Sequence, residues 1–434
     1  MFLTGTVLYG LASNSMLCIF SNKILVKFWC NMNYIETLNY IHSLGNFSKI
    51  ATLDRMKTVL EALGNPQNSF KSIHIAGTNG KGSVSAMLHC VFKTMGLKTG
   101  LFISPFILEF RERIQVNGEF IPEDELCFLA QTVIDTGIKL TEFEFITAIA
   151  FLYYKNQKCD IAIVETGLGG RLDATNVLTN VKASVITKIG LDHTAILGDT
   201  VEQITYEKCG IIKNAPVITS FNQTEAALSV LKQYNPIIPD TKKLKVIKCD
   251  VFSNEFFYDG TLYKTSLTGE YQIENALTVI ETALKLGVSK DILQKALANT
   301  FFPARMEVIS KAPIVIVDGA HNPDGADALA KTMIAYKGKI TAIIGMCADK
   351  DCEMVLKTLL PYCSRAVAVE IDGMPRSLKA EELCLMARKY CSCETAENYT
   401  DAINKVSGED VVFVFGSLYL ASGIREKLKN FYKV

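Results

Sequence analysis

The sequence predicts an α/β fold in two units: a parallel-sheet domain built on a P-loop, followed by a smaller Rossmann-like α/β domain. Three observations predict it. Short apolar strands alternate with helical stretches from Ser72 to Ile189 and again from Ile314 to Phe415, the pattern of helices covering a mainly parallel sheet. A glycine-rich turn, Gly77–Ser83, stands between a strand and a helix. At Asn299–Arg305 the alternation stops, and Phe301-Phe302-Pro303 reads as a connection between domains.

From Asn33 the pattern is helical, with Ile35, Leu38 and Ile41 on one face. A second helix over Leu53–Leu63 stops at Gly64-Asn65-Pro66. The strand Ser72–Ala76, the glycine-rich loop and a helix reaching Met95 follow, then strands Thr99–Ile103, Asp160–Val164 and Ala183–Ile189. Around 245–269, strand-like pieces flanking Asp259-Gly260 predict a small antiparallel excursion, and a helix comes next over Ile273–Leu286. Beyond the connection, strands are expected at Ile314–Val317, Ile340–Ile344, Ala366–Ile371 and Val411–Phe415. The expected division is 32–300 for the first domain and 301–434 for the second.

Residues 1–31 fit neither domain. Ser13, Asn14, Ser15, Ser21, Asn22 and Lys23 interrupt their apolar runs, which fall short of the roughly 18–20 residues of a membrane span. No basic stretch precedes them, as a secretory signal would require. The expectation is a poorly specified N-terminal extension, with the domain beginning at Met32.

Composition excludes several classes. Lys plus Arg and Asp plus Glu each number 45, so no net field draws the chain to nucleic acid or to an anionic membrane. The 13 cysteines form no CxxC pair and the five histidines no HExxH pair, which argues against zinc and for reduced thiols in a cytoplasmic protein.

The glycine-rich turn carries the first chemistry. Backbone N–H groups at the positive end of a helix form an anion site, and Lys81 adds charge at the phosphates. The strict Walker string is not met, because its first glycine would fall on Ile75 and the hydroxyl comes one place late, at Ser83. A magnesium carboxylate is expected at the end of a neighbouring strand, and Glu165 follows Asp160–Val164 just before Gly167-Leu168-Gly169-Gly170. Ser104 and His193 also lie beyond strand ends, although each alone reads as a cap or a hydrogen-bonded residue rather than a metal ligand.

A set of segments in order then carries a resemblance: HIAGTNGKGS (74–83), SPF (104–106), TEFEFITA (141–148), ETGLGGRLDATN (165–176), LDHTAILGDT (191–200), EKCGIIK (207–213), PARME (303–307), DGAHNPDG (318–325), ADKD (348–351) and GSLYLAS (416–422). From Asn33 to the C-terminus the chain resembles the folylpolyglutamate synthase/dihydrofolate synthase family of the Mur ligase superfamily. The resemblance implies a P-loop ATPase domain and a glutamate-ligase domain. It places Thr78, Asn79, Gly80, Lys81, Gly82 and Ser83 at the ATP phosphates, with Asn275, Arg305 and Asp318 at other nucleotide positions. Ser104, Glu165 and His193 fall where the family binds Mg²⁺, and Lys208 where it carries a carbamylated lysine. His321, Ser417 and Tyr419 fall in the region of the incoming glutamate, and Lys81, Lys208, His193 and His321 are the expected catalytic groups.

The implied reaction is ATP-dependent addition of L-glutamate to tetrahydrofolates, and in bifunctional members to dihydropteroate, through an acyl phosphate. Phe106 agrees with one branch of the family, where others have histidine after Ser-Pro, and so supports the dihydropteroate activity less than the polyglutamate one. The expected partners are these small molecules alone, with no nucleic acid and no membrane, and a monomer is expected. A cell-wall-type amino-acid ligase would share the cradle, but TEFEFITA and GSLYLAS favour the folate branch. A non-catalytic nucleotide switch would need the loop without Glu165, His193 and Lys208.

Overall fold

A computed structural model describes residues 32–45 and 52–433; the expected extension, 1–31, lies outside the described residues. The strands of the first sheet are β1 (Lys71–Ala76), β2 (Thr99–Phe102), β3 (Ile114–Val116), β4 (Glu119–Phe120), β5 (Ile161–Glu165), β6 (Val181–Ile186) and β7 (Val217–Thr219). They stand in the order β4-β3-β2-β5-β1-β6-β7. Strands β2, β5, β1, β6 and β7 run parallel, and β3 and β4 add an antiparallel edge. In β5, Ile161 and Ile163 join the core on one face while Ala162 and Val164 join that on the other. Alternate side chains of a strand point to opposite faces, so this apolar run is what a sheet covered on both sides requires.

The antiparallel excursion is a three-stranded sheet of β8 (Leu244–Cys249), β9 (Asn254–Tyr258) and β10 (Thr261–Thr265). Asp259 and Gly260, both at positive φ (47° and 73°), close the β9–β10 hairpin, the geometry that a two-residue turn of this kind demands. The last sheet comprises β11 (Glu307–Lys311), β12 (Ile314–Val317), β13 (Ile340–Ile344), β14 (Cys363–Val369), β15 (Ser392–Ala396) and β16 (Val411–Phe415), in the order β11-β12-β16-β13-β14-β15. All but β11 are parallel.

Some expectations need correction. Ile35 is 69% exposed, and the helix Tyr34–Ser43 buries Thr37 and Ile41 instead. The stripe runs through Tyr34, Thr37, Leu38 and Ile41, so Leu38 and Ile41 lie on the expected face and Ile35 does not. The Thr37 hydroxyl donates to Asn33 O at 2.8 Å, which makes a polar residue acceptable inside. The expected strand Ala366–Ile371 begins earlier, at Cys363, and ends at Val369. Strands β3, β4, β7, β11 and β15 were not anticipated. The β3–β4 hairpin had a legible signal in Asn117-Gly118, both residues having positive φ, whereas β15 (SCETA) is a polar edge strand with little apolar pattern to find.

Candidate active site

Parallel α/β sheets bind ligands beyond the carboxyl ends of their strands. Here two such ends converge on one cavity of about 640 Å³. The first sheet contributes the segments after β1, β2, β5 and β6; the second contributes those after β12, β13 and β16.

The loop after β1 enters the helix Lys81–Thr94 through Gly80, at φ 88°. A Cβ there would meet the side-chain oxygen of Asn275 as well as an unfavourable backbone conformation, so glycine is needed twice over. The N–H groups of Thr78 and Asn79 donate to Lys188 O, at 2.9 and 3.1 Å. They shape the loop, which leaves the first helical turn to present N–H groups to the cavity. Lys81 Nζ folds back onto Gly77 O (3.1 Å) and Thr78 O (3.3 Å). Ser83 Oγ accepts from Gln272 Nε2 at 3.1 Å, and Gln272 Oε1 accepts from Asn275 Nδ2 at 2.9 Å. Gln272 thus ties the loop to the helix Glu270–Lys285, a link that the sequence reading missed.

Ser104, Glu165 and His193 follow β2, β5 and β6 and all line the cavity. Glu165 is buried, and burial pushes its carboxyl up to about 7 against the opposing pull of Lys81, the Ser104 N–H, Arg305 and Arg113. Its Oε2 accepts a long hydrogen bond, 3.4 Å, from Ser104 N. The Ser104 hydroxyl accepts from Arg113 at 3.0 Å. His193 is exposed, sits at φ 52° and lies 3.6 Å from Asp192 through Nε2. Among the described residues no group of three His, Cys, Asp or Glu side chains is placed to hold an ion.

Lys208 is the one predicted site residue that does not line the cavity. It is buried on the helix Val201–Cys209, and its Nζ donates to Gly77 O at 2.8 Å, the carbonyl that Lys81 also reaches. Burial, then the Lys81 charge, lower its pKa to about 7, against the opposing effect of Asp192 and Asp173.

Across the cavity, Asp318 caps β12. Its Oδ2 accepts from Met306 N (2.8 Å) and from the Tyr271 hydroxyl (3.2 Å), and its Oδ1 from Ala320 N (2.8 Å). Arg305 lines the cavity, and among the described residues no carboxylate lies within ion-pair distance of it. His321 Nδ1 hydrogen-bonds Gly319 O at 2.8 Å, and burial lowers its pKa to about 4, so the ring is neutral near pH 7. Ser417, buried, caps the helix Leu418–Tyr432, and Tyr419 lies at the rim. Asp349, Lys350 and Arg376 also line this side; the first two were legible as ADKD following a strand, but no role was attached to them. The halves touch directly: Asn79 Nδ2 donates to Asp324 at 3.2 Å, and Asn322 Nδ2 to Asn79 Oδ1 at 3.3 Å.

Comparison with known proteins agrees with this layout. Residues 75–283 match the Mur ligase middle domain and residues 304–418 the Mur ligase glutamate ligase domain. The chain is 35% identical to folylpolyglutamate synthase of Lacticaseibacillus casei, over 92% of this chain and 99% of that one. It is 34% identical to dihydrofolate synthase/folylpolyglutamate synthase of Bacillus subtilis, over 91% and 99%. Among solved structures it is similar to the Escherichia coli protein in complex with DHPP and ADP, with TM-score 0.81, 27% identity, and 93% and 99% of the two chains covered. It is likewise similar to Mycobacterium tuberculosis folylpolyglutamate synthase complexed with ADP and AMPPCP, with TM-score 0.79, 28% identity, and 91% and 99% covered. With its fold, its two matched domains and its near full-length relatives in agreement, the chain belongs to the folylpolyglutamate synthase/dihydrofolate synthase family of ATP-dependent Mur ligases.

Proposed function

We propose that this protein joins L-glutamate to tetrahydrofolates, and also to dihydropteroate, at the expense of ATP. The observation that carries the reading is the convergence of Thr78–Ser83 and of Arg305, Asp318 and His321 on one cavity between two mainly parallel sheets. The acceptor carboxylate attacks the γ-phosphate of ATP to give an acyl phosphate and ADP. The α-amine of glutamate then attacks the acyl carbon, forming the amide and releasing phosphate. No side-chain nucleophile is required; the protein supplies position and charge. The N–H groups of Gly80–Ser83, with Lys81 and Arg305, oppose the negative charge that builds on the phosphoryl oxygens. Asn275 and Asp318 hold the nucleotide, and His321, Ser417 and Tyr419 receive the glutamate. Neutral at pH 7, the His321 ring accepts a hydrogen bond from the incoming ammonium without repelling it.

Mg²⁺ fits Ser104, Glu165 and His193, because two hard oxygens and an imidazole lie beyond the ends of β2, β5 and β6 on one cavity, where Lys81, Arg305 and Arg113 act on the buried Glu165 carboxyl without an ion pair among the described residues. When bound, the ion would neutralise phosphate oxygens. A carbamate on Lys208 fits as well. Its amine is buried, close to neutrality near pH 7, and therefore nucleophilic toward CO₂, and the resulting anion would relieve the crowding with Lys81. We place the enzyme in the cytoplasm as a monomer, with 32–300 and 301–434 as its two domains. Among the described residues no helix is long and apolar enough to cross a membrane, and the described cysteines are free thiols.

Phe106 favours a second reading, polyglutamate synthesis alone. Its ring packs edge-on against Phe110 at 6.0 Å, and Arg113 lies over both rings. Assays of ATP turnover with glutamate and either tetrahydrofolate or dihydropteroate separate the cases. Turnover with both acceptors is expected, turnover with tetrahydrofolate alone selects the second reading, and acceptor-independent hydrolysis contradicts both.

A further inference from the structure

The connection between the two sheets holds an arrangement that ligand contact alone does not explain. Arg305 stands between two non-glycine residues in the left-handed region, Ala304 at φ 52° and Met306 at φ 51°. Such backbone persists where its surroundings over-determine it. Here Ala304 N donates to Glu307 Oε2 at 3.0 Å and Met306 N to Asp318 Oδ2 at 2.8 Å. The Ala304 carbonyl accepts from Gly319 N at 3.0 Å, and Met306 O from the Thr268 hydroxyl at 3.3 Å.

Glu307 is held in turn by Arg425 of the last helix. Arg425 Nε reaches both carboxylate oxygens, at 2.8 and 2.7 Å, and Nη2 lies 2.7 Å from Oε1. The two side chains are 9% and 5% exposed. The same guanidinium lies 5.9 Å from the ring of Phe301, so one side chain spans both ends of the connection. A buried ion pair is a poor device for stability alone, since apolar residues of similar volume often do as well. An apolar residue at 307, however, would leave the Ala304 N–H without its acceptor.

We propose that Glu307 and Arg425 are positioning residues for Arg305, fixing the backbone on either side of it so that its guanidinium meets the nucleotide phosphates without reorganising. The proposal rests on the reading of Arg305 as a phosphate contact. It places a functional residue on the final helix, whose first turn carries the glutamate-side residues Ser417 and Tyr419.

The test compares wild type with Arg305→Ala, Glu307→Gln, the apolar pair Glu307→Met/Arg425→Leu, and that pair combined with Arg305→Ala. For each, kcat, KM for each substrate and Tm are measured. The apolar pair removes both charges together but leaves the buried Ala304 N–H without its acceptor, so it is expected to keep its fold with a modestly lowered Tm while losing about a hundredfold in kcat, with KM for the folate and glutamate nearly unchanged. Glu307→Gln keeps an acceptor for Ala304 N–H and is expected to recover most of that loss. Adding Arg305→Ala to the apolar pair is expected to cost less than about twofold beyond Arg305→Ala alone, as for groups acting as a unit. Wild-type kcat in the apolar pair, or losses that multiply in full with Arg305→Ala, would overturn the proposal while leaving the role of Arg305 standing. An Arg305→Ala enzyme with wild-type activity would overturn both.

Discussion

Two buried ionisable groups are displaced in opposite directions, Glu165 in the cavity and Lys208 against the Gly77 carbonyl, and each makes a prediction. The Glu165 carboxyl is pushed up by burial to about 7, above its unfolded value of about 4.3. The native state therefore binds the extra proton between those values, and ligand-free stability falls as pH rises from about 4 to about 7. Glu165→Gln removes this cost. In a chelator at pH 8 the variant is expected to be more stable than wild type by on the order of 2–3 kcal/mol, yet inactive; equal stability across pH 5–8 would contradict the assignment. Lys208 is displaced the other way, to about 7 from an unfolded value of about 10.4, so its contribution to stability is present above the unfolded value and fades as pH falls through 7. Lys208→Ala is expected to abolish turnover, with partial recovery on adding a small carboxylate. Activity near wild type would remove Lys208 from the mechanism. Neither displacement was legible in the sequence, because both come from burial. What was legible was the residue types at strand ends.

At the scale of elements, the sequence pattern located most of the site. The strands Ile314–Val317, Ile340–Ile344 and Val411–Phe415 were expected with their observed bounds, because continuous apolar runs between polar turns can scarcely be read otherwise. The glycine-rich turn was legible for the same reason, but its internal division was not. Thr78 and Asn79 spend their N–H groups on Lys188 O, a partner 110 and 109 positions away in the chain, and no local pattern announces such a contact. The turn itself offers a sharp test. Gly80→Ala places a methyl against Asn275 and a Cβ on a residue at φ 88°, so nucleotide affinity is expected to fall at least about tenfold while far-UV circular dichroism stays the same. Unchanged ATP affinity by calorimetry would show that the loop does not approach the phosphates closely.

At the scale of the molecule, the site exists only where the two sheets face each other. Several polar contacts join the halves around it: the Asn79 links to Asp324 and Asn322, the Tyr271 hydroxyl on Asp318 at 3.2 Å, the Thr268 hydroxyl on Met306 O at 3.3 Å, and an exposed Lys331–Glu270 pair at 2.9 Å. The exposed pair contributes about 1 kcal/mol or less, and a ligand that touches both halves can change their relative placement. Solution scattering with nucleotide and acceptor together is expected to show a smaller radius of gyration than the free protein; identical profiles would argue that the cavity is preformed. Sequence alone anticipated an interdomain site because Arg305 falls in the connection and Asp318 after the next strand. It did not reveal the pinning of that connection by Arg425, which lies 120 residues from Arg305 in the chain.

The central claim is that this cavity activates a carboxylate by phosphorylating it. The most direct measurement follows the oxygen atoms: the folate acceptor is labelled with oxygen-18 in its reacting carboxylate and incubated with ATP, Mg²⁺ and glutamate, and the released phosphate is analysed by mass spectrometry. The account predicts that a labelled oxygen enters phosphate with each amide formed. Amide formation with unlabelled phosphate would contradict it.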